Sequence, residues 1–220
     1  MKFKRIKALI WRDYLVFFQS KWRFLEVFYF PITSIIIWGF FALWTGETQN
    51  LAGKIALTIN IFWSYAYVVQ STINLAINED AWHNEVHHLY ITGIGKWEYL
   101  LSKIIFGLLL SLANLLLIIL ISHFFFLNIS KILIEVLLIS FLTAFISIGI
   151  ATLIAGLFFA LGKEYAWFSW TLLQFFVLFS FPLFPLESLP SFLQKVAIIM
   201  PFGNIFEAGR NILLAKEWFS

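Results

Sequence analysis

Cysteine is absent, which excludes a disulfide framework, thiolate metal sites and a cysteine nucleophile, and leaves the redox compartment open. Charge is scarce: Asp, Glu, Lys and Arg make up 12% of the 220 residues, against roughly a quarter in an ordinary soluble domain. There is no GxxxxGK(S/T) sequence, so the chain carries no P-loop for ATP. There is also no GxSxG elbow to present a serine nucleophile. The long apolar runs contain no Asp, Glu, Lys or Arg, only Asn, Gln, Ser, Thr and His123 as polar or titratable interruptions. A carrier driven by protons or cations needs ionisable groups near the membrane midplane. Their absence points to an energy source outside this chain.

What the chain does have is apolar surface. Hydrophobic residues make up 61% and aromatics 20%, with 27 Phe and 10 Trp. One soluble core of this size cannot hide so much, and lipid is the phase that can take the rest. Windows free of charge and long enough to cross the hydrocarbon layer predict five spans, at 27–46, 55–78, 104–122, 136–162 and 165–183. These runs are continuous rather than alternating, which excludes barrel strands. In lipid such a run must satisfy its own backbone as a helix. Beyond Glu187, Lys195, Glu207, Arg210, Lys216 and Glu217 interrupt every window. The expected fold is an all-α polytopic membrane protein, one transmembrane domain over 1–220. It has five transmembrane helices, an N-terminal amphipathic interfacial helix (1–23) and a C-terminal re-entrant or interfacial helical hairpin.

Seven basic residues, Lys2, Lys4, Arg5, Lys7, Arg12, Lys21 and Arg23, precede the first span. Such clusters stay in the cytoplasm, so the N-terminus is expected there. Alternation then puts Lys96, Lys103 and Lys163 inside and Lys54 and Lys131 outside, while the basic residues of the tail run against the rule. Charge persists to Glu26 before any apolar run, unlike a cleavable signal peptide. Trp11, Tyr14, Phe18 and Trp22 fall at helical spacing among the basic residues. That pattern suits either a helix lying in the headgroup layer or a plain positive flank.

Within the second span Asn60, Ser64, Tyr67, Ser71, Asn74 and Asn78 step by four and three and so share one helix face. Amides do not face lipid without cost, so this face meets a translocation path, a dimer seam or neighbouring helices. Ser140, Ala144, Ser147, Ala151 and Ala155 give the fourth span a small-residue face for close packing. In the stretch 79–98, Glu79, His83 and His87 lie at i, i+4 and i+8, from which a metal set can be drawn. HNEVH is nevertheless not HExxH, because its Glu holds the middle position. The tail is punctuated by Pro182, Pro185, Pro190 and Pro201. Between them Leu189, Phe192, Leu193 and Val196 form a helical stripe too short to span, and Asn204 with Glu207 has capping-box spacing. Glu207 and Arg210, at i and i+3, are placed to pair. Extracytoplasmic short helices are expected over 184–214.

Two stretches carry a resemblance. Glu79-Asp80-Ala81-Trp82, continuing through Leu89-Tyr90-Ile91-Thr92-Gly93-Ile94 to Trp97-Glu98-Tyr99-Leu100-Leu101-Ser102-Lys103, is similar to the cytoplasmic loop of type-2 ABC exporter permeases. The segment from Phe181 to Gln194, followed by Met200-Pro201 and Phe206-Glu207-Ala208-Gly209-Arg210, resembles the extracellular segment before that family's last span. The resemblance implies half of a membrane-domain dimer, completed by a second permease copy or a paralogue. A separate cytoplasmic ABC ATPase would bind the ATP and Mg, leaving this chain no enzyme and with no cofactor or metal of its own. Glu79, Asp80, Trp82, His83, Glu85 and His87 would couple to that ATPase, and Asn60, Ser64, Tyr67, Ser71 and Asn74 would line the path or seam. Pro185, Pro190, Pro201, Glu207 and Arg210 would shape the extracytoplasmic hairpin. The implied setting is the plasma or inner membrane, with lipid but no nucleic acid as partner. Gly93 and Ser102 depart from the family's usual Pro and Gly. The family normally has six spans, and the sequence stops at Ser220 where the sixth is expected, as a truncated or a reduced member. Two other readings are a membrane-embedded metalloenzyme using Glu79, His83 and His87, and a non-transporting immunity or assembly protein of the same fold.

Overall fold

The computed structural model describes residues 3–46 and 52–217, and among them there are helices and turns but no strand. Helix α1 (Phe3–Gln19) turns Ile6, Leu9, Asp13 and Phe17 inward, onto α6 (Lys96–Phe125). Its opposite side carries Trp11 and, beyond the helix, Trp22, each 61% exposed. Trp11 stacks on Tyr14 at 5.3 Å between ring centroids, so the predicted aromatic row is an outward-facing one. Ser20 caps the short helix α2 (Lys21–Phe24) by accepting from the Arg23 N–H. A π-helical turn over Leu25–Tyr29 follows, burying Glu26 and Val27, and leads straight into α3 (Phe30–Gly46).

Among the described residues three helical stretches are long and apolar enough to cross a membrane: Lys21–Thr45, Lys96–Phe125 and Ile129–Leu161. The chain is therefore a multi-pass membrane protein. At the centre stands α4 (Ala52–Trp82), 31 residues long and so about 46 Å from end to end. It is more polar than those three stretches, and its packing supplies the reason. α3, α6 (Lys96–Phe125), α7 (Leu133–Leu161), α8 (Phe168–Phe179) and α10 (Gly203–Glu217) all pack on it. Most of its residues are buried, so they meet protein rather than lipid. The small-residue face of α7 is buried with Ser140, Ser147 and Ala151 inward, and α7 is among the principal neighbours of α4.

Boundaries differ from the sequence reading for local reasons. α6 begins at Lys96, well before the predicted 104, because the Glu98 carboxylate accepts from the Gly95 N–H at 3.1 Å and caps the first turn. The predicted loop 79–98 is mostly helical: Glu79–Trp82 complete α4, and α5 (Glu85–Ile91) forms a separate short helix. Asn84, at φ 59°, makes the reversal between them, a backbone shape that asparagine tolerates better than most residues. The predicted run 165–183 is a 3₁₀ turn over Lys163–Trp167 followed by α8, which ends at Phe179. There the Ser180 hydroxyl bonds back to the Phe176 carbonyl at 2.7 Å, and Phe181 adopts φ 47°.

The tail holds α9 (Ser191–Ile199), with Phe192 and Ile199 exposed, and then α10. α10 does not lie apart from the bundle. Phe202 and Phe206 are fully buried, and α10 packs along α4 and α7. At Gly209 an added Cβ would meet the Phe62 ring at 2.9 Å, so glycine is what allows this approach. α10 starts at Gly203, which puts Asn204 inside the first turn rather than at the predicted cap position.

Candidate functional site

Four helices, α1, α4, α5 and α6, meet in a buried ion network. Lys103, 1% exposed, sits between two carboxylates, with Nζ 2.8 Å from Asp13 and 2.6 Å from Asp80. Arg12 reaches the same pair, at 2.8 Å to Asp13 and 2.6 Å to Asp80, and extends to Glu85 at 3.4 Å. The Tyr99 hydroxyl donates to Asp80 at 2.9 Å. Beside this cluster Arg23 binds Glu79, with Nε donating at 2.7 Å. Arg5 donates to the Gly93 carbonyl and lies 3.5 Å from Glu98. Buried charge persists only when it is compensated in this way.

The neighbouring charges oppose the effect of burial on these groups. Burial alone would raise the Asp80 pKa, but Lys103 and Arg12 outweigh it and hold the carboxyl below the usual aspartate value. For Arg12, burial works to lower the pKa, and Asp80 and Asp13 overcome it and raise it. A depressed carboxyl stabilises the fold fully above its unfolded value and loses that contribution as pH falls through its folded one. Thermal stability in detergent is therefore expected to fall as acid takes the solution below about pH 4. Asp80→Asn, which has nothing left to protonate there, should be less stable at neutral pH and flatter through that interval. A wild-type profile no steeper than that of the variant would refute the assignment.

The acids that the sequence reading offered to a partner are thus used internally: Asp80 by Lys103 and Arg12, Glu79 by Arg23. Glu85 is half-exposed and tied to Arg12. Trp82, His83 and His87 are exposed. Among the described residues no three His, Cys, Asp or Glu side chains gather to hold a metal. Glu79, His83 and His87 accordingly form no such set. The sequence reading missed Asp13 as a partner. A signal was present, because Asp13 interrupts the apolar face of Ile6, Leu9 and Phe17 at helical spacing.

The polar face of α4 divides in two. Asn60, Ser64 and Tyr67 line a cavity of about 250 Å³ with Ser34, Trp38 and Trp63. Asn60 donates to Ser34 at 3.1 Å, and the Tyr67 hydroxyl donates to buried Glu26 at 2.8 Å. Ser71 and Asn74 are not among its lining residues. Asn74 donates to the Ala151 carbonyl of α7 at 2.9 Å and accepts from Gln70 at 2.6 Å. Asn78 donates to the Ser169 hydroxyl of α8 at 2.9 Å. Ser71 turns back to the Val68 carbonyl at 3.5 Å. This half of the stripe joins helices to one another.

At the other end Glu207 and Arg210 pair at 2.6 Å, and Arg210 also donates to the Pro182 carbonyl at 2.7 Å. Pro185 precedes the 3₁₀ turn Leu186–Ser188, Pro190 precedes α9, and Pro201 separates α9 from α10. Each proline stands where a helix has to stop or start.

The chain is thus a multi-pass helical bundle with a buried ion network at one end, a charge pair at the other and a cavity with polar side chains between its helices. The family model described as ABC-2 family transporter protein matches residues 45–220, and the chain belongs to that family. It is therefore a membrane permease component of an ABC transporter and not itself the catalytic one. No curated protein and no solved structure matches it.

Proposed function

We propose that this chain is the membrane subunit of an ABC exporter in the plasma or inner membrane, paired with a second copy or a paralogue. A separate cytoplasmic ATPase, which holds the ATP and Mg, drives it through α5. The N-terminus and α5 face the cytosol. The helices Lys21–Thr45, α4, α6 and α7, with the shorter α8, make five passes, and α10 leans back into the bundle beside α4 and α7.

The observation that carries this reading is the setting of α5. None of its seven residues is buried, and Ile91 is 71% exposed, yet Val86 and Leu89 pack against the core and charge ties the helix to the rest of the bundle. Glu85 at its start holds Arg12, and Gly93 just beyond its end holds Arg5. A short exposed helix wired to a rigid ion network is suited to receive a push and pass it to α1, α4 and α6. Substitutions on its outer face should separate docking from folding. Ile91→Asp is expected to cut capture of the cognate ATPase in co-purification at least tenfold while leaving the thermal stability of the permease unchanged. Asp80→Asn, by contrast, should lower stability. Undiminished capture and ATP-dependent transport by Ile91→Asp would exclude α5 as the docking element.

A further inference from the structure

The cavity beside α4 has a more apolar neighbour. Trp63 and Gln174 line both it and a second cavity of about 430 Å³, whose other walls are Leu178, Phe181, Pro182, Leu183 and Phe184. Apart from the Gln174 amide and the Trp63 indole, the side chains of this second space are apolar. The first presents hydroxyls and amides, from Ser34, Asn60, Ser64, Tyr67 and Gln174, among the apolar walls of Phe30, Pro31, Trp38 and Trp63. No side chain lining either cavity is charged. The nearby carboxylate of Glu26 is 2% exposed and lies behind the Tyr67 hydroxyl that donates to it, so it is not presented to the space.

We propose that the two cavities together bind an uncharged amphiphile, its hydroxyl- or amide-bearing head among Ser34, Asn60, Ser64 and Gln174 and its alkyl chain against Leu178, Leu183 and Phe184. Hydroxyls and amides both donate and accept, so they can replace the water around a neutral polar head. A charged head would lose hydration there without meeting a countercharge. The chain, in turn, gains only where apolar walls continue from the head site, and Trp63 with Gln174 marks that junction. Together the two spaces fall within the roughly 300–1,000 Å³ of small-molecule sites. This names the substrate class of the permease function proposed above and rests on that reading.

The test uses the full chain in nanodiscs, without the ATPase, and an alkyl glucoside carrying a photoreactive diazirine on its chain. Adducts are expected on Leu178, Leu183 or Phe184. Decyl glucoside should suppress them, whereas decyl phosphate and decyltrimethylammonium at equal concentration should not. Gln174→Glu, nearly isosteric and partly exposed, is expected to weaken labelling about tenfold. Equal competition by either charged amphiphile, or labelling indifferent to all three, overturns the proposal even if the variant fails to accumulate. Because labelling needs no partner, loss of ATPase capture would count against the exporter reading alone, and loss of head-group discrimination against the substrate class alone.

Discussion

Replacing Lys103 by methionine should lower the stability of the folded permease by about 3–5 kcal/mol, the usual consequence of removing one partner from a buried ion pair. The side chains are similar in length, so the effect is one of charge. Without the ammonium, Asp13 and Asp80 remain buried near one another with Arg12 as their shared cation. Arg12 is itself partly open to solvent and cannot fill the space that Nζ occupies between the two carboxylates. Adding Asp13→Asn to Lys103→Met removes one of the stranded charges and should recover a large part of the loss. That non-additivity, read from a double-mutant cycle of denaturation in detergent, distinguishes a charge network from simple packing. If Lys103→Met unfolded with the wild type, or the two losses added, the network would not be what joins α1 to α4 and α6.

Much of this architecture is legible in the sequence because lipid simplifies the rules. A continuous charge-free run in a membrane must be helical, and α6 and α7 coincide with such runs. The rule speaks only to apolar residues. It marks the charge-free run from 104 and is silent on the first turns of α6, which contain Lys96, Glu98 and Lys103. Helical spacing likewise tells which side chains of α4 share a face but not which neighbour each one meets. Asn60 and Asn74 belong to one stripe, yet one borders a cavity and the other bonds α7. The ion network was the least legible part, because Asp13 and Lys103 are 90 positions apart and neither side chain announces its partner. Acidic residues in the stretch 79–98 were read as facing a partner protein. The basic residues of α1 and α2, read as a topology signal and as a face toward lipid headgroups, are what claim them.

The same reasoning at the opposite end makes Arg210 the side chain whose loss should be felt most. Buried in α10, it forks between the Glu207 carboxylate and the Pro182 carbonyl, so it fastens α10 to the turn that follows α8. Arg210→Leu keeps the bulk and removes both contacts. The expected cost is about 2–3 kcal/mol, set by hydrogen bonds to a charged donor and by the carbonyl left without it. Glu207 is partly exposed and can be rehydrated, which keeps the figure below that for Lys103. Arg210→Lys should fall between, because an ammonium lacks the planar fork that serves two acceptors at once. The loss should also be local. Hydrogen exchange is expected to quicken at Ser180 and Phe181, whose amides bond to Val177 and Leu178, before the rest of α8 responds. Since Phe181, Pro182, Leu183 and Phe184 wall the apolar cavity, a loosened turn should also weaken capture of an alkyl chain there. Stability and exchange both unchanged in Arg210→Leu would mean that burial of Phe202 and Phe206 alone seats α10, and that the guanidinium is incidental to it.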